Sequence, residues 1–352
     1  MVSFTVVAIA NKHLFSYKVP YAVSQVTYAI QEGFYSRRFL IGTIFHPVIE
    51  FFEYDLRVLY HISFLGFAAL TITVLCGLKY VSVNDRFLFA FALLFIPGSV
   101  FFLNIGFMEG WGYFFTAIAS WLASKGKLNF LLLSFLFLAF SYAASDHSLL
   151  FGSIIYLYFA SKRWGYVRIF PAFFVISAFF AYLLVFTSVS LESVERLMKK
   201  INDKGTELPI EGFRYLTTGL YHLIPINGRG EVFTDPGVSR VGQTAIWAVV
   251  FSLVLSIMFA IKRSGFIDYI YGVLFVWAPF PLSIVAYDWN RWQSMIFLNF
   301  FLAYVIAQRG ITGRAVIINR ALFLLAVVFI SFFTSNYSFF NIEVYRVVGL
   351  LR

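Results

Sequence analysis

The chain has 352 residues, of which 61% are hydrophobic and only 12% are charged. Soluble globular domains carry about 25% charged residues, so this composition excludes an ordinary soluble protein and indicates a chain that lies largely in lipid. The formal net charge is +10, but the basic residues stand in short segments between apolar runs, which favours a role in membrane orientation over nucleic-acid binding.

The N-terminal segment 21–56 is predicted to lie on the outer surface of the membrane rather than to cross it. Its longest apolar run, 39–52, has about 14 residues and is too short to span a bilayer. Apolar positions such as Ile44, Val48 and Phe51 lean toward one helical face. This pattern indicates an interfacial helix.

After this segment, about ten apolar stretches are long enough, or nearly long enough, to cross a bilayer as helices. The fold class is therefore predicted to be an all-α polytopic membrane protein with about ten transmembrane helices, one N-terminal interfacial helix and one large extracytoplasmic loop, all within a single integral domain, 1–352. The stretches are about 57–79, 86–104, 108–124, 128–144, 147–161, 167–189, 244–262, 266–286, 290–308 and 317–336.

Every second loop between these stretches is basic. Because cytoplasmic loops carry an excess of lysine and arginine, these loops are predicted to be cytoplasmic, and the alternate loops and both termini to lie outside. The basic residues are Lys79 and Arg86, then Lys125 and Lys127, then Lys162, Arg163 and Arg168, then Lys262 and Arg263, and finally Arg309, Arg314 and Arg320.

The longest segment between apolar stretches, 190–243, falls on the outer side. It opens with an amphipathic stretch, 191–201, and continues with an aromatic one, 212–222. A loop longer than about 15 residues is usually functional or disordered, and the aromatic content of this one argues against disorder. We expect an ordered extracytoplasmic cap.

The polar side chains that suit acid–base chemistry also stand in the outer segments. Asp146 and His147 are adjacent, and a carboxylate beside an imidazole can act as a general base with its orienting partner. The alternative for Asp146 is a helix N-cap. Glu32 and Glu109 are the other candidate bases.

Arginines in outer segments run against the usual charge distribution and need a physical reason. Arg37 and Arg38 are adjacent, while Asp288 and Arg291 are three residues apart at a helix start and share one face. Guanidinium groups pair with phosphate through two hydrogen bonds, so Arg37, Arg38 and Arg291 are predicted to bind a diphosphate, with Asp288 orienting Arg291. The alternatives are headgroup anchoring for the arginine pair and an ion pair in an aromatic belt for Asp288 and Arg291.

The single cysteine, Cys76, lies in an apolar run and has no partner for a disulfide within the chain. The cysteine and histidine residues do not have the spacing of a metal site, so we expect neither a metal nor another cofactor. The first ten residues lack the basic start and the small-residue cleavage site of a signal peptide.

The strings Gly33–Gly42 and Asp288–Trp292, with the many apolar stretches and the large outer loop, resemble bacterial O-antigen and capsular polysaccharide polymerases. These are multispanning membrane glycosyltransferases. The resemblance implies transfer of a glycan from undecaprenyl diphosphate to another lipid-linked repeat unit, with an active site that faces the periplasm from the bacterial inner membrane. It implies polyprenyl-diphosphate-linked oligosaccharide and membrane lipid as partners, other polysaccharide-assembly proteins as further ones, and no nucleic acid.

Such a reaction needs a base for the acceptor hydroxyl and positive charge for the leaving diphosphate, and the outer residues supply both. No Asp-x-Asp motif stands in an outer loop, which favours a metal-independent transferase. Tyr215, Tyr221 and His222 of the cap are the candidate glycan contacts.

Three other functions remain open from the sequence, of which a structural or assembly protein is one. Another is a flippase or other transporter of lipid-linked glycan, a class that often shows internal repeats, which this sequence lacks. The last is a membrane O-acyltransferase, a class that resembles this chain only in an N-terminal arginine followed by a histidine, here Arg37 or Arg38 with His46.

Overall fold

The computed structural model describes residues 25–35, 38–79, 81–95, 108–203, 235–285 and 289–333. Within these ranges every regular element is a helix, which confirms the all-α prediction. Short 3-10 turns at Gln25–Thr27 and Ile30–Glu32 precede the α-helices. The α-helices are α1 (Phe39–Phe51), α2 (Leu56–Leu78), α3 (Val83–Phe95), α4 (Glu109–Ser124), α5 (Leu128–Ala144), α6 (Ser148–Trp164), α7 (Tyr166–Phe186), α8 (Leu191–Asn202), α9 (Asp235–Ile261), α10 (Phe266–Trp277), α11 (Phe280–Val285), α12 (Trp289–Gln308) and α13 (Arg314–Phe333).

Each predicted apolar stretch contains a helix, and the stretch 266–286 is divided into α10 and α11. Among the described residues, three helical stretches are long and apolar enough to cross a membrane: Arg57–Leu78, Tyr166–Phe186 and Val241–Ile261. Several other apolar helices are shorter. The chain therefore has the helices of a membrane protein, and the count of about ten crossings stays a prediction.

The chain divides into two compact units. Unit A consists of the described residues of His13–Leu75 and Asn104–Ile226, and unit B of those of Cys76–Leu103 and Asn227–Arg352. Both predicted special segments, 21–56 and 190–243, begin in unit A. The prediction of one integral domain concerns the bilayer and is not tested by this division.

Three helices, α4, α5 and α6, form the centre of unit A and pack through small and hydroxyl-bearing residues. Ser141 on α5 donates a hydrogen bond of 2.9 Å to the carbonyl of Gly112 on α4, and its Oγ lies 2.8 Å from that of Thr116. A Cβ at Gly152 on α6 would stand 2.7 Å from the Thr116 hydroxyl. This close packing holds the first residue of α4, Glu109, near the turn between α5 and α6.

The segment 25–35 crosses α1 at very short range. A Cβ at Gly42 would overlap the backbone of Tyr28, with its amide nitrogen only 2.9 Å away. The amide of Ile30 donates to the Thr43 hydroxyl at 3.0 Å. Glycine at position 42 is therefore what allows the segment to lie directly on the helix.

Helix α1 buries one face in unit A and exposes the other. Ile41, His46 and Ile49 are buried in unit A. Ile44 and Phe51 are exposed, at 56% and 79%. One face of α1 thus packs on the protein, and Ile44 and Phe51 lie on the other face; the interfacial position of the helix stays a prediction.

The described part of the predicted cap is helix α8. Its N-cap, Ser190, accepts a hydrogen bond of 3.1 Å from the amide of Ser193. Side chains spaced three and four residues apart form its apolar face. They are fully buried in the core that also contains residues of segment 25–35 and α1. The buried side chains are Val194, Leu197, Met198 and Ile201.

In unit B, α9 packs against α10, α12 and α13 through stacked aromatic rings, such as those of Phe251 and Phe300 at 4.1 Å. Asp85 at the start of α3 is buried and accepts hydrogen bonds of 2.7 Å from both Arg320 Nε and the Tyr304 hydroxyl. Lys262 donates to the carbonyl of Ile306 at 2.5 Å. These contacts join ends of helices that the charge pattern predicts to lie on one side of the bilayer.

Candidate functional site

Four of the residues that the sequence proposed for function meet at one end of unit A. Arg38 precedes α1, Glu109 begins α4, and Asp146 and His147 lie in the turn between α5 and α6. We call this group the Arg38–His147 cluster. All four side chains are largely buried, with exposures of 8–13%.

Each nitrogen of the Arg38 guanidinium contacts another side chain. Nε donates to Asp146 Oδ1 at 2.8 Å, Nη1 donates to Gln25 Oε1 at 2.6 Å, and Nη2 lies 3.2 Å from His147 Nε2. The backbone of Arg38 is left-handed, with φ of 53°. That conformation costs roughly 1–3 kcal/mol in a residue other than glycine, so the surrounding bonds must hold Arg38 in place.

The partners of His147 determine which of its ring nitrogens carries the proton. A guanidinium has only donors, so the Nε2 atom that faces Arg38 must be the unprotonated acceptor. Nδ1 lies 2.5 Å from Glu109 Oε1 and donates its proton to that carboxylate. These contacts fit a His147 ring with its proton on Nδ1 and the lone pair on Nε2, with Asp146 Oδ1 a further 3.7 Å neighbour of Nε2.

Asp146 binds Arg38 rather than capping the following helix in the usual way. Its Oδ1 accepts hydrogen bonds from Arg38 Nε and, at 3.1 Å, from the amide of His147. The N-cap position of α6 is His147 itself, whose side chain makes no capping hydrogen bond. The orienting carboxylate on the His147 ring is Glu109, whereas the sequence suggested the adjacent Asp146.

The arrangement has the parts of a general-base pair. A neutral imidazole with its lone pair on Nε2 can take a proton, and a carboxylate on Nδ1 stabilises the imidazolium that forms. Both parts come from residues that lie far apart in the chain. We therefore regard His147 as the candidate base and Glu109 as its orienting group.

Glu32, the fourth candidate base, lies in a different group of side chains. It is buried and accepts hydrogen bonds from the Tyr54 hydroxyl, from Lys200 Nζ at 2.6 Å and from His46 Nε2 at 3.3 Å. Burial raises its pKa, but the bonds from Lys200, Tyr54 and His46 together hold the pKa below its ordinary value. Glu32 thus joins the N-terminal segment to α8, and the sequence alone gave no sign of Tyr54 or Lys200 as its partners.

This ion pair predicts how the stability of unit A depends on pH. A carboxyl whose pKa is lower in the folded state stabilises the fold above its ordinary value of 4.5, and that contribution is lost as the pH falls through the folded pKa. We expect Glu32→Gln to lower stability at pH 7 by roughly 1–3 kcal/mol. The deficit should shrink below about pH 4.5.

Thermal unfolding of the purified protein in detergent, measured from pH 3.5 to 7, would test this. Glu192→Gln is the matched control, because Glu192 is an exposed carboxylate on the same helix as Lys200. Equal unfolding curves for wild type and Glu32→Gln across the whole range would contradict the prediction.

The other sequence candidates lie outside what the structure describes. This holds for Arg37, Asp288, Tyr215, Tyr221 and His222. The backbone of Arg291 lies in the first turn of α12, but its side chain is outside the described part. Nearby, Trp292 is fully buried within the protein.

The described residues contain no group of three or more histidine, cysteine, aspartate or glutamate side chains that could hold a metal ion. Gln25 is a contact of the cluster that the sequence reasoning missed, because a lone glutamine in a polar segment carries no recognisable pattern. His46, which the acyltransferase alternative paired with Arg37 or Arg38, contacts Glu32 and, at 3.7 Å, Glu50.

Comparison with known proteins finds no matching family model, no matching curated protein and no matching solved structure.

Proposed function

We propose that this protein is a metal-independent membrane glycosyltransferase. It would act as a polysaccharide polymerase that transfers a glycan from undecaprenyl diphosphate to the sugar hydroxyl of another lipid-linked repeat unit. The reaction would take place at the outer face of the bacterial inner membrane. The proposal combines the resemblance of two sequence strings with the chemistry of the Arg38–His147 cluster.

The observation that carries the proposal is the Glu109–His147 pair. A lipid-linked acceptor presents a hydroxyl that must lose a proton as it attacks, and a neutral imidazole backed by a carboxylate is suited to receive it. Glu109 and His147 are buried at helix ends rather than in the middle of apolar helices. A lipid-linked substrate can reach such a position while its tail stays in the bilayer.

In the proposed reaction the acceptor oxygen bonds to the anomeric carbon of the donor glycan. The bond between that carbon and the diphosphate oxygen breaks, and undecaprenyl diphosphate leaves with the electron pair. The hydroxyl proton moves to His147 Nε2, and Glu109 stabilises the resulting imidazolium through Nδ1. No oxidant, reductant or further reactant is required.

The leaving diphosphate needs positive charge, and the sequence candidates for it are Arg37, Arg38 and Arg291, with Asp288 orienting Arg291. We expect Arg291→Lys to shorten the glycan chains severely, because lysine keeps the charge but loses the planar fork that binds two phosphate oxygens. Chain length would be read as a ladder on gels from cells that carry each variant at equal protein level.

Arg309→Lys is the matched control, because Arg309 follows the opposite end of the same helix and is exposed. A full ladder from Arg291→Lys would contradict the diphosphate role of Arg291. Failure of the purified wild-type protein to extend lipid-linked repeat units would contradict the proposed function itself.

The same experiment separates a polymerase from a flippase. A defective polymerase still leaves single, unextended repeat units on the outer face. A defective flippase leaves no repeat unit on that face. Single units in the His147 and Arg291 variants therefore favour the polymerase, and complete loss of surface glycan favours the transporter.

A further inference from the structure

The surroundings of Arg38 point to a role other than the diphosphate binding that its sequence position suggested. We infer that Arg38 is a positioning residue that fixes the protonation state of His147. We also infer that the Arg38–His147 cluster receives the uncharged hydroxyl of the acceptor sugar, while the leaving diphosphate binds outside it. The identity of the acceptor rests on the proposed function, whereas the role of Arg38 does not.

The first argument is geometric. The Arg38 guanidinium already contacts Asp146, Gln25 and His147, one through each of its nitrogens. Arg38 is only 8% exposed, so its guanidinium group faces these protein groups rather than solvent. Binding a diphosphate in the usual two-bond manner would require it to give up contacts that hold its left-handed backbone in place.

The second argument is the charge of the cluster. The Arg38 guanidinium contacts the Asp146 carboxylate, and Glu109 contacts the neighbouring His147 ring. A diphosphate placed on Arg38 would therefore stand beside two carboxylates, which disfavours it there. An uncharged hydroxyl meets no such repulsion.

The third argument concerns the proton on His147. Because Arg38 Nη2 can only donate, its contact with Nε2 favours the form of His147 in which Nε2 is unprotonated. The contact is 3.2 Å long, so a hydroxyl of the acceptor can replace it without breaking a short hydrogen bond. Arg38 would thus keep Nε2 unprotonated until the acceptor hydroxyl binds.

Nitrogen NMR of the full-length protein with 15N-labelled histidine tests the role of Arg38 without any substrate. The chain has 5 histidines, and the His147 signals are those lost in His147→Gln. We expect a protonated Nδ1 and an unprotonated Nε2 in the wild type. In Arg38→Gln we expect both nitrogens to be protonated, because Nδ1 still faces Glu109 and Nε2 then lies near Asp146 Oδ1, 3.7 Å away, without the competing guanidinium. Arg196→Gln is the control, because Arg196 is an exposed arginine of unit A.

A wild-type His147 with its proton on Nε2, or on both nitrogens, would overturn the inference. So would an unchanged pair of signals in Arg38→Gln. Arg38→Lys should behave as the glutamine variant does, because a single ammonium group cannot contact Asp146, Gln25 and His147 in the manner of the fork. A variant that only loosened the fold would broaden the signals of the other histidines as well.

Binding of undecaprenyl diphosphate to the purified protein tests the location of the diphosphate. We expect Arg38→Gln to change its dissociation constant by less than about twofold. Removing a charged phosphate contact would weaken binding by roughly tenfold or more, and that result would overturn the inference. If the wild-type protein does not bind undecaprenyl diphosphate, the proposed function fails, and the NMR result still decides the role of Arg38.

Discussion

Replacing His147 by alanine is expected to abolish visible glycan chain extension. General acid–base catalysis contributes roughly 10²–10⁴-fold to a rate, and the variant loses the atom that receives the acceptor proton. Glu109→Gln should be impaired to a smaller degree, since a glutamine can still accept the Nδ1 hydrogen bond but no longer offsets the charge of the imidazolium.

His61→Ala is the matched control for this experiment, because His61 belongs to the same unit and is exposed. Its Nδ1 contacts the carbonyl of Arg57 at 2.5 Å, away from the cluster residues. The His147→Ala protein should also bind undecaprenyl diphosphate as tightly as the wild type. Ladders of normal length from His147→Ala at equal protein level would remove His147 from the base role.

Replacing Gly42 by alanine is expected to prevent unit A from folding correctly. The added Cβ would overlap the carbonyl and amide atoms of Tyr28, and backbone atoms cannot move aside as a flexible side chain can. Overpacking in a core usually costs about 1–3 kcal/mol. A clash with backbone should cost more than that, because the whole 25–35 segment must leave α1.

The measurement is the yield of monodisperse protein in detergent and its unfolding temperature. Gly77→Ala is the matched control, since a Cβ at this helical position meets no atom within 4 Å among the described residues. Alanine there should be neutral or stabilising by roughly 0.5–1 kcal/mol. A Gly42→Ala protein with wild-type yield and unfolding temperature would show that the 25–35 segment does not lie on α1.

Local patterns were enough to predict the helices, because the apolar stretches are long and the segments between them are polar. The helix bounds of α5, Leu128–Ala144, agree with the predicted stretch 128–144. The apolar face of α8 was likewise recognisable in the sequence, although the residues that it packs against were not. These features depend on residues a few positions apart, so periodicity alone reveals them.

The pairing inside the site depends on residues that are far apart in the chain, and periodicity does not report on it. The sequence selected Arg38, Asp146, His147 and Glu109 but did not predict that Arg38 contacts Asp146 and that Glu109 contacts the imidazole. The packing of α4 against α5 and α6 decides instead that Glu109 faces His147. Gln25 belongs to no recognisable sequence motif, so residue spacing does not predict its contact with Arg38.

The distance along the chain between Arg38 and Asp146 has a consequence for the synthesis of the protein. The two residues are 108 positions apart, and a ribosome adds about 5–20 residues per second. Arg38 is therefore synthesised roughly 5–20 s before Asp146. During that interval α1 and the segment before it cannot reach their final position. Insertion of the early helices must therefore leave α1 and this segment accessible to the α5–α6 hairpin, which is synthesised later.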